Sequence, residues 1–368
     1  MVSHKEFSDL IRVLRFPLCV MVVLIHSHFG GLKGFGGVEY QFDDLVSYPV
    51  YSNISFLISE LLCRVAVPTF FIFSGYLFFG KSETFTRHDY IVKLKSRAKS
   101  LFLPLIFWNL VFILMLYIKQ TFVGIGEHKL VVDYTLKDWV LVFVNQNSSG
   151  LPINTPLWFV RDLIVMVLIS PIIYHIIKST KWYSVLLFGL LWLVFYDGIK
   201  PYLNLSSIFF FSLGAYFSIH RKDIVSALEK MKNYNYVASL ILLIFEMLYF
   251  NFQESWDLHL LLSQFMYNAC IFSLIFSCLN ISLTILRKGG FRLNSYLCDS
   301  NFFIYVFHRF PLDVVLVLLI SFINPKSDIQ ALMIYFLAPT IILAVGVSVY
   351  VLLRKLLPKF TALITGGR

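Results

Sequence analysis

Apolar runs of bilayer length recur along the whole sequence, near residues 8–29, 53–80, 101–123, 156–178, 182–198, 203–220, 234–252, 259–285, 295–321 and 330–357. A run of about 20 such residues spans the hydrocarbon core as a helix, with every backbone group bonded inside its own segment. The expected fold is therefore all-α, a polytopic transmembrane helix bundle of about ten spans forming one membrane domain over residues 1–368. Hydrophobic residues make up 58% of the chain and charged residues only 14%, which excludes an ordinary soluble protein of this length.

The net charge of +10 does not point to nucleic acid, because Lys and Arg gather in alternate loops. After the second run come Lys81, Arg87, Lys93, Lys95, Arg97 and Lys99; after the first, Lys33 stands against Glu39, Asp43 and Asp44. Cationic loops stay in the cytoplasm. The pattern repeats at Lys178 and Lys181, at Arg221, Lys222, Lys230 and Lys232, at Arg287, Lys288 and Arg292, and at Arg354, Lys355 and Lys359. The opposite loops carry acids such as Asp133, Asp138 and Glu254. An even number of spans with both termini cytoplasmic follows. Arg12 and Arg15 interrupt the first run and no small-residue cleavage site follows it, so that run is read as a retained helix. The five cysteines have no CxxC spacing and read as small packing residues.

The longest external segment, about 124–155, holds the amphipathic stretch VVDYTLKDWVLVFV and then the turn-rich NQNSSGLPINTP. A short helix at the outer surface followed by an ordered loop is expected there. No internal repeat is visible, which counts against a transporter built from repeated bundles.

Ionisable residues inside apolar runs are costly and mark sites. Four arginines, Arg15, Arg64, Arg161 and Arg309, remain after the loops are assigned, with His26, His308, Glu60 and Asp162. Arg15 and His26 are eleven positions apart. On a helix they project from nearly one face, separated by roughly 16 Å along the axis. Orientation places Arg15 in the inner third and His26 in the outer third, where Arg161 and Trp158 also fall, so His26 and Arg161 are expected to meet. His26 is read as a general base, against the alternative of a neutral imidazole bonded to a backbone carbonyl. No carboxylate or cysteine stands at ligand spacing to the histidines, and no metal is expected. Ser74 beside Gly75 lacks GxSxG and a paired base, and reads as close helix packing.

Five stretches resemble, in order, the acyltransferase family 3 proteins, bacterial integral-membrane O-acyltransferases of glycans. They are the arginine and histidine of the first run, VPTFFIFSGYLFF (67–79), KLKSRAKSLFLP (93–104), PLWFVRDLIVMVLISP (156–171) and FFIYVFH (302–308). The resemblance implies transfer of an acyl group, usually acetyl, from cytoplasmic acyl-CoA to a hydroxyl, in the bacterial inner membrane. It carries the family's arginine and histidine onto Arg15 and His26, and its later histidine onto His308. Lys95, Arg97 and Lys99 stand where the family often has a basic pair, with lysine where arginine is usual.

The chemistry agrees with that expectation. An attacking hydroxyl must lose its proton to a base, for which His26 is best placed. Guanidinium forks suit phosphate and oxyanion alike, so Arg15 is expected to hold the donor or polarise its carbonyl, and Arg64 and Arg161 to serve the oxyanion or acceptor. The candidate catalytic set is His26, Arg15, Arg161 and His308. The candidate substrate contacts are Arg64, Glu60, Trp158, Lys95, Arg97 and Lys99. Acetyl-CoA is expected as co-substrate, a glycan or lipid-linked sugar as acceptor, the lipid bilayer as solvent, and a homo-oligomer is compatible with the sequence. The rival reading is a transporter or flippase for an anionic or lipid-linked substrate. A structural membrane subunit explains the spans but not the buried ions.

Overall fold

The computed structural model describes residues 2–29, 32–33, 39–40, 45–80, 85–122, 129–146, 150–195, 204–252, 260–290 and 295–367. Asp43, Asp44, Lys81, Glu254 and Arg292, used above to orient loops, lie outside them, as do residues 123–128 and 147–149 of the long external segment.

Helix α1 is Val2–Ile25, followed by a short antiparallel pair, β1 (Leu32–Lys33) with β2 (Glu39–Tyr40). Then come α2 (Pro49–Phe79), α3 (Arg87–Phe122), α4 (Leu136–Leu141), α5 (Trp158–Leu168) and α6 (Ser170–Thr180). They are followed by α7 (Trp182–Val194), α8 (Leu205–Ile219), α9 (Ile224–Lys230), α10 (Lys232–Phe252) and α11 (Leu260–Arg287). The chain finishes with α12 (Ser295–Phe307), α13 (Arg309–Ile323), α14 (Asp328–Leu356) and α15 (Pro358–Ile364).

Each expected apolar run is helical over most of its described residues. Among the described residues five helices, α2, α3, α10, α11 and α14, are long and apolar enough to cross a membrane, and the bent pairs α5–α6 and α12–α13 raise the number to seven. α7 and α8 are apolar but shorter, with 13 and 15 residues. The fold is that of a helical membrane protein.

Two boundaries differ from expectation. The third run becomes helical at Arg87, well before residue 101, because Thr86 and Asp89 form a reciprocal capping box that satisfies the first free amides. Lys93, Lys95, Arg97 and Lys99 therefore stand on a helix and not in a loop. α1 ends at Ile25, and the chain tightens there: the amides of His26 and Ser27 bond back three residues to Val23 and Leu24, and Ser27 Oγ also takes the Val23 carbonyl. His26 thus sits in the turn beyond the helix, so the shared helical face with Arg15 stops short of it.

Prolines explain where the helices depart from regular geometry. Proline lacks an amide proton and its ring clashes with the carbonyl four residues before it. Pro68 displaces Arg64, and the backbone around it is a π-turn (Phe56–Leu62) and a 3₁₀ turn (Cys63–Val65). Pro104 displaces Ser100 inside a π-turn (Ala98–Phe102). Pro171 and Pro311 produce the 65° bend between α5 and α6 and the 75° bend between α12 and α13. The freed carbonyls find other donors: Ser170 Oγ bonds Val167 at 2.7 Å, and Tyr90 Oη bonds Leu168 at 3.1 Å.

α2 and α8 make the most extensive helix–helix contact. Its centre is a glycine pair. A Cβ on Gly75 would lie 2.0 Å from the Phe211 carbonyl oxygen, and one on Gly214 would lie 2.0 Å from that of Ile72. Only the absence of side chains lets the two backbones approach this closely. In the long external segment α4 opens on a second capping box, Thr135 with Asp138, and exposes Leu136 and Val140.

Candidate active site

A cavity of about 180 Å³ lies between α1, α2, α3, α5, α8 and α12. Its wall is largely aromatic: Phe70, Phe73, Phe78, Phe159, Phe211, Phe302 and Tyr305, with Ser74, Cys19 and Asn301 as polar points. Two guanidiniums, Arg15 from α1 and Arg97 from α3, also line it, close enough for the charge of one to act on the other. Neither makes a salt bridge or hydrogen bond among the described residues. Two unneutralised cations facing one apolar cavity repel each other, and an anion between them removes that repulsion.

Tyr305 connects this cavity to a pair of histidines. It lines the cavity, and its ring centroid lies 6.3 Å from that of His308. The Tyr305 hydroxyl donates to the Pro156 carbonyl, tying α12 to the segment before α5. The His308 ring lies 5.4 Å from the His26 ring, at an interplanar angle of 33°. His308 is fully buried and His26 half-buried.

The bend in α12–α13 fixes the state of His308. At the break the Tyr305 carbonyl turns to its ring, 2.7 Å from Nδ1, and the Ile304 oxygen, which still accepts from the His308 amide at 3.0 Å, lies 3.2 Å from the same nitrogen. Two acceptors require Nδ1 to carry the proton, leaving a lone pair on Nε2. Among the described residues that Nε2 has no hydrogen-bond partner. A histidine held through one nitrogen with the other free is the arrangement of a general base.

Arg64 and Arg309 surround the pair, and the charges of both reach His26. Each is held by a carboxylate one turn away, Arg64 by Glu60 at 2.5 Å and Arg309 by Asp313 at 2.9 Å. Ser59 donates to the Leu24 carbonyl at 2.7 Å, fastening the end of α1 to the π-turn that carries Glu60.

The other expected site residues separate. His26 meets His308, whereas the guanidinium of Arg161 is engaged with the outer loop. It bonds Asp162 Oδ1 through Nε and Nη2 at 2.9 and 2.7 Å, and the carbonyls of Val144 and Gly150 at 2.6 Å each. Asp162 in turn accepts from Asn204 and Ser207 at 3.0 and 2.7 Å. This buried pair has its lone pairs and protons satisfied, as a stable buried ion pair requires. Trp158 is half-buried against Phe71, with ring centroids 6.2 Å apart. Of the three expected donor contacts on α3, Arg97 lines the cavity while Lys95 and Lys99 are exposed. Tyr305 and Asn154 were absent from the expected set. Asn154 donates through Nδ2 to the Val306 carbonyl at 3.2 Å. Among the described residues no cluster of His, Cys, Asp or Glu could hold a metal ion, and the five cysteines are free.

A family model described as "Acyltransferase domain" matches residues 9–353. The chain is also similar to the "Succinoglycan biosynthesis protein ExoH" of Rhizobium meliloti (strain 1021). The two are 28% identical over 329 residues, covering 88% of this chain and 85% of the relative. No solved structure matches the chain.

Proposed function

The chain belongs to the acyltransferase family 3 of integral-membrane enzymes, and from that premise we propose that it moves an acetyl group from cytoplasmic acetyl-CoA to a hydroxyl of a glycan. One observation carries the reading. The His26–His308 pair, with the Nε2 lone pair of His308 open, adjoins through Tyr305 a cavity bearing the unpaired Arg15 and Arg97.

In this reading Arg15 and Arg97 hold the anionic part of the donor and the aromatic wall takes the pantetheine arm. The thioester then lies near Ser74 and Tyr305. The acceptor hydroxyl gives its proton to the histidine pair as its oxygen attacks the thioester carbonyl. His26 is the ring an entering hydroxyl reaches, and His308 supplies the fixed lone pair beside it. The negative charge that develops on the carbonyl oxygen falls within the fields of Arg64 and Arg309. Collapse of the tetrahedral adduct breaks the C–S bond, and the imidazolium returns its proton to the thiolate, so CoASH leaves and no net proton is consumed. The bulky side chains of the wall favour a small acyl group. The similarity to a protein named for succinoglycan biosynthesis supports a polysaccharide or its lipid-linked precursor as acceptor. Loop cations support a cytoplasmic donor side and both termini in the cytoplasm of a bacterial inner membrane.

The test is acetyl transfer from radiolabelled acetyl-CoA to glycan by protein purified into nanodiscs. His26→Ala and His308→Ala are each expected to lose about 10²- to 10⁴-fold in kcat while remaining folded. Wild-type turnover in both variants would overturn the assignment of the base.

A further inference from the structure

Two buried acceptor atoms near the α12–α13 bend have no donor among the described residues. One is His308 Nε2; the other is Oδ1 of Asn154, a residue only 2% exposed. The orientation of the Asn154 amide is not arbitrary, because its other end donates to the Val306 carbonyl and therefore must be nitrogen. Its main-chain amide donates to Asn109 Oδ1 at 3.1 Å, which pins the residue from a second side. The two side chains are anchored on consecutive carbonyls, His308 on Tyr305 and Asn154 on Val306. Both carbonyls were released by the break ahead of Pro311. Leaving a buried acceptor without a donor is unfavourable, and here two such acceptors belong to side chains anchored on neighbouring carbonyls.

Resting on the acyl-transfer reading, we propose that Asn154 is a second acceptor-binding residue, and that it and His308 receive hydrogen bonds from two donors on the incoming glycan. The chemistry selects the ligand class. Two lone pairs suit adjacent hydroxyls, or a hydroxyl beside an amide N–H, of a neutral sugar. A carboxylate or phosphate at this place would set acceptor against acceptor, so the acylated residue is uncharged at the reacting carbon and its neighbour. Neither atom is reached by solvent in this closed arrangement. A ligand gains them by a local shift at the Pro311 break, where the helical hydrogen-bond ladder is already interrupted.

The experiment uses the full chain in nanodiscs and two readouts. The probes are methyl β-D-glucopyranoside and methyl β-D-galactopyranoside, their monodeoxy derivatives, and the methyl glucuronide as the anionic control. Donor-free binding is followed by ligand-observed saturation-transfer NMR, and transfer by steady-state kinetics with acetyl-CoA. Asn154→Ala is expected to weaken acceptor binding and kcat/KM about tenfold and to leave the KM for acetyl-CoA unchanged. One monodeoxy sugar is expected to show the same loss with wild type and no further loss with the variant. The monodeoxy series on the wild-type protein preserves the test if the alanine variant does not fold: a loss confined to one hydroxyl position is expected. Equal penalties on every sugar, tighter binding of the glucuronide, or no binding of any probe overturns the proposal. Binding with that pattern but no acetyl transfer overturns the enzymatic reading and leaves the subsite standing. Transfer unaffected by Asn154→Ala does the reverse.

Discussion

Arg161 and the pair Arg15/Arg97 look alike in the sequence, since each is a guanidinium next to an apolar run, yet the fold treats them oppositely. Arg161 bonds Asp162 and two loop carbonyls, and its aspartate accepts from Asn204 and Ser207 as well. Arg15 and Arg97 line a cavity and have no counter-ion among the described residues. The contrast teaches that a cation in a membrane protein is a ligand site only when the chain has failed to neutralise it. The satisfied arginine fastens the outer loop to α5 and α8. The unsatisfied ones stand ready for an anion brought from outside.

The largest effect expected from this contrast is at the satisfied end. Asp162→Ala leaves the Arg161 charge buried and strips Asn204 and Ser207 of their acceptor, so it is expected to destabilise the fold by about 3–5 kcal/mol, read as a lowered melting temperature in detergent. A melting temperature equal to wild type would erase the distinction between the two sets. At the unsatisfied end the opposite pattern is expected: Arg15→Ala and Arg97→Ala keep the wild-type melting temperature, and each raises the KM for acyl-CoA about tenfold. Lys95→Ala and Lys99→Ala sharpen the comparison, because they share helix α3 with Arg97 but face away from the cavity. They are expected to change that KM by less than about twofold. The smallest effect lies in the outer loop. The Asp138 carboxyl is held well below the usual carboxylate range, first by the Lys129 ammonium and then by the Thr135 hydroxyl and amide. A depressed pKa contributes stability that is complete above the unfolded value near pH 4 and fades as the pH falls through the folded one. Protection of the α4 amides, taken relative to their intrinsic exchange rates at each pH, is therefore expected to be unchanged from pH 7 to 5 and to fall only in stronger acid.

The apolar runs showed the helices in the sequence because periodicity and length are local properties. Their irregularities were only partly open to reading: breaks precede Pro68, Pro104, Pro171 and Pro311, whereas α1 and α14 run unbroken through Pro17 and Pro339. The start of α3 was not read correctly: a run of cations looks like a loop unless the Thr86/Asp89 box is weighed. The meeting of His26 with His308 was hidden for a different reason. Loop charges indicate depth along the bilayer normal for both, but depth does not say which helices are neighbours. Asn154 carried no signal at all. Its importance comes from two carbonyls on another helix, more than 150 residues away, released by a proline that the sequence displays without saying what will approach it.

The glycine seam between α2 and α8 has a bearing on how the cavity opens. Ser74 and Phe73 on one helix and Phe211 on the other line the cavity, and each adjoins the seam at Gly75 or takes part in it. Backbones locked at such close approach can neither slide nor separate by small steps, so this side of the cavity acts as an anvil. Room for a long donor arm has to come from the opposite side, by displacement of α1, α3 and α12. Those helices carry Arg15, Arg97 and Tyr305, so on the proposed reading admitting the donor and aligning the groups that handle it become one and the same movement.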